Sequence, residues 1–146
     1  MASVSTYLNF PGNTEAAFEF YRSVFGGDFQ APGIQRMAAA PSAPGQPPMP
    51  EAAKNLVLHV ALPILGGHVL QGTDAHESMG FALQVGNNVH INLHPDSRKE
   101  ADRLFQALSA GGKVDMPLQQ MFWGDYFGSF TDRFGLKWMI NCASKE

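Results

Sequence analysis

One helix-forming segment occurs twice in this chain, and that repetition limits what the chain can fold into. Residues 15–27 read EAAFEFYRSVFGG and residues 100–112 read EADRLFQALSAGG, eighty-five positions further on. Glu15 coincides with Glu100, Ala16 with Ala101, Phe20 with Phe105, and Gly26-Gly27 with Gly111-Gly112. Both segments have the apolar spacing of an amphipathic helix, through Phe18, Tyr21, Val24 and Phe25 in the first and Ala101, Leu104, Phe105 and Leu108 in the second. Asn13 is the expected cap of the first helix; Ser97 with Glu100 forms a capping box before the second. Each helix stops at a glycine pair, whose first member can take the left-handed conformation that ends a helix. Each also follows a short strand-like run (4–10 and 88–94) and precedes a strand-rich stretch. The expected architecture is a tandem duplication of a β–α–β-rich unit.

Composition sets the outer limits. A chain of 146 residues makes one domain, or two half-domains sharing a core. With 45% apolar and 16% charged residues it has the make-up of a folded globular protein. The net charge of −3, without a basic run, gives no electrostatic reason to expect nucleic acid. No apolar run approaches the roughly 20 residues of a membrane span, and residues 1–10 lack the basic and apolar parts of an export signal. A cytoplasmic protein is therefore expected, with Cys142, the single cysteine, as a packed thiol.

Residues 4–10 alternate and end at Pro11-Gly12, which marks a strand. Residues 28–36 are a strand candidate interrupted by Pro32-Gly33. Residues 37–54 carry five prolines and are expected to form a loop, either a mobile connector or a lid. Residues 55–62 and 68–73 make a hairpin through 63–67, and 74–87 connect the halves. The second half repeats the order: strand 88–94, helix 97–110, strand 113–119, then strands 126–131 and 136–142 about a turn at 132–135. That gives eight strands and two helices, in pseudo-repeats at about 3–73 and 88–142.

The order βαβββ twice, with FYxxxFGG closing the first helix, resembles the vicinal oxygen chelate superfamily of glyoxalase I, extradiol dioxygenases and bleomycin-resistance proteins. YLNFPGNTEAAFEFYRSVFGG, GGKVDMPLQQMFWGDYFG and TDRFGLKWMINC resemble its PhnB-like branch more closely. The resemblance implies an α+β fold over residues 1–146, with tandem repeats forming a curved mixed sheet around a cleft and helices on the outer face. It also implies a homodimer. Metal-dependent members carry four ligand positions, in the first and last strand of each half. Counting from the turn glycines Gly67 and Gly135 places two of them at Gln71 and Met139, and alignment on the helices sets Ser5 opposite His90. A serine, an amide, one imidazole and a thioether make a poor set for a divalent ion, so no metal and no cofactor are expected. His90 and His94 offer no alternative pair, because four positions along a strand separate them by about 13 Å.

Alternation sorts the remaining candidates. Val89, Ile91 and Leu93 are expected to face the helix, with His90, Asn92 and His94 opposite; Leu136, Trp138 and Ile140 alternate with Lys137, Met139 and Asn141. Ser5, Tyr7 and Asn9 share a side, as do Asn55 and His59. Ser5, Tyr7, Asn9, His59, Gln71, His90, Asn92, Trp123, Met139 and Asn141 are therefore the cleft-lining candidates. The face they form reads either as a solvated sheet surface or as a polar small-molecule pocket, with His90 or His59 as base. Trp123, in the MFWGDY stretch, is a pocket wall or a structural aromatic. The absence of GxGxxG argues against a dinucleotide or a Rossmann-type methyl donor, so the quinone-methyltransferase label sometimes attached to PhnB-like chains gains no support here. The expected function is small-molecule binding or catalysis without a metal. The alternatives are a glyoxalase- or dioxygenase-like metalloenzyme and a sequestering protein that binds without catalysis.

Overall fold

The computed structural model describes every residue except Ser42, which lies in the proline-rich stretch. The chain folds as two compact units, Met1–Gln84 and Val85–Glu146. Each has the order βαβββ. The first contains β1 (Thr6–Phe10), α1 (Thr14–Phe25), β2 (Gln35–Arg36), β3 (Val57–Pro63) and β4 (Val69–Asp74). The second contains β5 (Ile91–Leu93), α2 (Arg98–Ser109), β6 (Lys113–Gln120), β7 (Tyr126–Thr131) and β8 (Lys137–Cys142). Each makes a four-stranded mixed sheet, ordered β1-β4-β3-β2 and β5-β8-β7-β6. The first strand lies parallel to the last, and the other pairings are antiparallel. This is the expected paired α+β architecture.

In each sheet the two central strands are buried on one face under the helix. Phe18 and Tyr21 of α1 are wholly buried, as are Leu62 and Leu70 of the sheet beneath. In the second unit Leu104 and Leu108 pack with Phe130, Trp138 and Ile140, all at 0% exposure. The strands keep the spacing read from the sequence: Tyr7 pairs with Gln71 as Asn92 pairs with Met139. The helices do not. Ala16 is exposed whereas Ala101 is buried, and the buried faces coincide when Phe18 is set against Phe105, two positions from the sequence match.

Both aromatic knobs need a glycine below them, yet on different strands. A Cβ on Gly72 of β4 would stand 2.4 Å from the Phe18 ring, and one on Gly128 of β7 would stand 2.8 Å from Phe105. Gly72 pairs with Val60, and Gly128 pairs with Ile140 at the corresponding place in the second sheet. Small and large residues have thus changed places across one cross-strand pair.

Several expectations require correction. Asn13 occupies the N-cap position of α1, but its side chain makes no capping bond. Asp74, at the end of β4, does this instead: its carboxylate accepts the Thr14 amide at 3.0 Å, the Thr14 hydroxyl at 2.6 Å and the Val57 amide at 2.8 Å. Ser97 does cap α2, accepting the Glu100 amide at 3.1 Å. The Glu100 carboxylate, however, turns to Arg103 at 2.6 Å, so the capping box is only half made. The strand expected at 28–36 shrinks to Gln35–Arg36, because Pro32 has no N–H to donate and the Gly33 amide closes a turn onto the Gln30 carbonyl. The run 88–94 shrinks to Ile91–Leu93, and Val89 is 73% exposed, not packed on the helix.

Residues 37–54 contribute no strand among the described residues, only short 3₁₀ turns at Met37–Ala39 and Glu51–Ala53. The ends of this loop are tied together. Arg36 donates to the Glu15 carboxylate at 2.9 and 3.0 Å and to the Asn55 carbonyl at 3.0 Å. Cys142 is buried, in keeping with a packed thiol. No helix among the described residues is long and apolar enough to cross a membrane.

Candidate functional site

The face of the first sheet turned away from α1 is polar. Pleating puts alternate residues of paired strands on one side, so Tyr7, Asn9, Gln71 and Thr73 share it with His59 and Ala61. Tyr7 and Asn9 are exposed, whereas His59 and Gln71 are half-buried. Two of these side chains, His59 and Gln71, form one chain with Ser5, which precedes β1. His59 Nε2 lies 2.8 Å from Gln71 Oε1, and Gln71 Nε2 donates to Ser5 Oγ at 2.8 Å. Beside them the Tyr7 ring stands 6.4 Å from the His59 ring, tilted by 37°, and is 51% exposed. Asn9 sits further along β1, opposite Thr73, whose hydroxyl donates to the Val57 carbonyl at 3.3 Å.

The matching face of the second sheet carries Asn92, Met139 and Asn141 from the sequence reading. Asn92 pairs with Met139, and Asn141 donates to the Asp125 carboxylate at 2.9 Å, bracing the loop before β7. Trp123 in that loop is 48% exposed and meets Phe122 at 5.0 Å and Phe127 at 6.0 Å between ring centres. His90 is half-buried and precedes β5, so it is not aimed by the sheet pleat as expected. Sequence reasoning missed a polar group here. Lys137 donates to Thr131 Oγ1 at 2.9 Å, which donates to Asp115 at 3.0 Å, with Lys137 and Asp115 3.8 Å apart. The signal was available: Thr131 and Lys137 flank the turn as a cross-strand pair.

His68 and His76 serve structural ends. His68 Nε2 lies 2.8 Å from the Thr6 hydroxyl. His76 Nδ1 accepts the Ser78 amide at 3.1 Å and borders an open hollow of about 450 Å³ beside Pro11 and Phe81. That hollow touches none of the His59–Gln71–Ser5 residues.

The four positions expected from the sequence as a ligand set, Ser5, Gln71, His90 and Met139, do not fit a divalent ion. Both ends of Gln71 are engaged by protein groups, Ser5 is the acceptor of one of them, and Met139 offers a thioether. Among the described residues no three His, Cys, Asp or Glu side chains are grouped as a metal would need.

Comparison with known proteins agrees with this architecture. Residues 6–140 match the Glyoxalase/Bleomycin resistance protein/Dioxygenase superfamily. Protein YjdN of Escherichia coli (strain K12) is 31% identical over 146 residues, covering 98% of this chain and 97% of that protein. The crystal structure of protein PA1353 from Pseudomonas aeruginosa is 36% identical, covers 97% of this chain and 98% of its own, and superposes with a TM-score of 0.81. The PhnB protein of Bacillus cereus, a putative 3-demethylubiquinone-9 3-methyltransferase, shares the fold at a TM-score of 0.73 and 23% identity, over 97% of this chain and 100% of its own. The chain belongs to the glyoxalase/bleomycin resistance protein/dioxygenase superfamily.

Proposed function

We propose that this protein binds a small organic molecule on the open face of its first sheet, without a divalent metal, and that His59 is the side chain that meets the reacting or recognised group. The observation that carries the reading is the continuous chain from His59 through Gln71 to Ser5, with the exposed Tyr7 ring at its side. A solvated sheet face has no need to order an imidazole against an amide that is itself held by a hydroxyl. A binding surface does, because each rotamer fixed beforehand lowers the cost of ordering the site around a ligand. Tyr7 supplies apolar area, and the polar chain supplies orientation.

The same arrangement serves a catalyst and a sequestering protein, and His59 separates them. The test is ligand-detected NMR with a panel of planar metabolites and antibiotics, using wild type, Tyr7→Ala and Gln71→Leu. At least one compound should bind wild type and weaken about tenfold in each variant, the equivalent of about 1.4 kcal/mol. Binding that is indifferent to both substitutions refutes the location. If a bound compound is also converted, and His59→Ala abolishes conversion while retaining binding, the protein is an enzyme.

A further inference from the structure

Gln71 has two chemically different ends, and each has its own partner. Its Nε2 group donates to Ser5 Oγ at 2.8 Å, which leaves Oε1 to face His59 Nε2 at 2.8 Å. An amide oxygen can only accept, so the proton of neutral His59 sits on Nε2. Nδ1 is then left with its lone pair, and no hydrogen bond to it is formed among the described residues. No carboxylate forms an ion pair with His59 among them either.

We infer that His59 presents Nδ1 as a hydrogen-bond acceptor, and that the site thereby selects uncharged planar molecules bearing a ring O–H or N–H over carboxylates and other anions. The inference rests on the open face being the binding surface. The planar preference comes from Tyr7, whose half-exposed ring lies beside the imidazole and offers a flat apolar platform. The donor preference comes from Nδ1: an anion placed there would set lone pair against lone pair, whereas a hydroxyl completes the bond. Gln71 and Ser5 are positioning residues in this arrangement. Their neutral amide and hydroxyl fix which nitrogen carries the proton without adding charge.

The test uses two probes of one shape, 2-naphthol and 2-naphthoate, with protein labelled at the histidine ring nitrogens. Wild type should bind naphthol about tenfold more tightly than naphthoate, and the His59 Nδ1 resonance should move as it accepts the bond. In Gln71→Glu the carboxylate favours a proton on both ring nitrogens, so the preference should reverse toward naphthoate. Ser5→Ala frees the amide to rotate, and its preference should fall toward unity. Naphthoate binding wild type as tightly as naphthol, with both ligands perturbing His59 and Tyr7, overturns the selectivity and leaves the binding surface standing. Binding of neither probe removes the surface and the selectivity together. A proton on Nδ1 in ligand-free wild type overturns the inference whichever probe binds.

Discussion

Replacing Asp74 tests whether the first helix is held from sixty residues away. The carboxylate is 3% exposed and accepts three hydrogen bonds, two from Thr14 and one from the Val57 amide. It therefore fastens the start of α1 to the start of β3. In Asp74→Asn the Thr14 bonds survive as neutral ones, but an amide N–H₂ now faces the Val57 N–H. A charge-assisted bond contributes about 1.5–3 kcal/mol, and a stranded buried donor costs about 1–3 kcal/mol. Because these figures overlap, the expected loss is about 2–4 kcal/mol for Asp74→Asn. Asp74→Ala strands both amides and leaves a small void, and should lose somewhat more. Asn13→Ala is the control. Asn13 holds the sequence position of a cap but makes no capping bond, so the change should cost under about 0.5 kcal/mol, whereas a true cap costs about 1 kcal/mol. The assay is urea unfolding followed by circular dichroism, which reports both units, and by tryptophan fluorescence, which reports only the second because it holds both Trp123 and Trp138. The dichroism midpoint should fall in the Asp74 variants. A loss below about 1 kcal/mol in Asp74→Asn, or one as large in Asn13→Ala, would show that the helix start is held by something else.

Three further outcomes follow from the packing and electrostatics. Gly72→Val forces a side chain against the Phe18 ring and should destabilise by about 1–3 kcal/mol. Adding Val60→Gly should return part of it, and strictly additive losses would contradict the cross-strand exchange. Trp138→Phe removes the indole N–H that donates to buried Asp132 at 2.9 Å, and should cost about 1–3 kcal/mol in chemical denaturation. Tyr126 donates to Asp102 at 2.5 Å; this bond, then burial, then the Asp102 charge push its phenol above the ordinary value of 10.0, against Arg98. The folded state holds that proton more tightly, so the contribution is whole below the unfolded value and is lost as pH rises through the folded one. The gap in melting temperature between wild type and Asp102→Asn should be constant from pH 7 to 9 and narrow above about 10; a constant gap to higher pH contradicts the assignment.

The parts of the fold written in local pattern were legible in the sequence. Alternation gave the inner and outer faces of β8, and the eighty-five-residue spacing gave the equivalence of Tyr7 with Asn92. What the sequence hid was non-local. Nothing near Asn13 reveals that a carboxylate at the end of β4 caps the helix in its place. The helices matched by identity at Ala16 and Ala101, yet their buried faces match two positions away, because packing on the sheet fixes helix rotation and the connecting residues absorb the difference. Ser5, His59 and Gln71 were all named from the sequence, but as a lapsed ligand set and a separate base. The hairpin expected over 55–73 already set β3 beside β4; what no spacing within either strand specifies is the register, Ala61 opposite Gln71, that brings His59 within reach of the amide. His90 lost its place because the paired part of β5 begins one residue later.

The exchange of glycine and aliphatic residue between the two sheets also limits how two halves of this kind can be interchanged. Two identical halves must pass through an intermediate to reach Val60–Gly72 in one and Gly128–Ile140 in the other. With the larger residue gained first, the aromatic knob is overpacked by about 1–3 kcal/mol; with the larger residue lost first, a cavity costs about 2–5 kcal/mol. Both routes fall within the roughly 5–15 kcal/mol by which domains are stable, so single steps suffice. Once completed, the exchange isolates the halves from each other. A crossover between the two repeats, at the helices where their sequences are most alike, would seat each knob over the other half's sheet, where an aliphatic fills the place its glycine left open. Recombination between the two halves therefore carries the overpacking cost of about 1–3 kcal/mol in each sheet it joins.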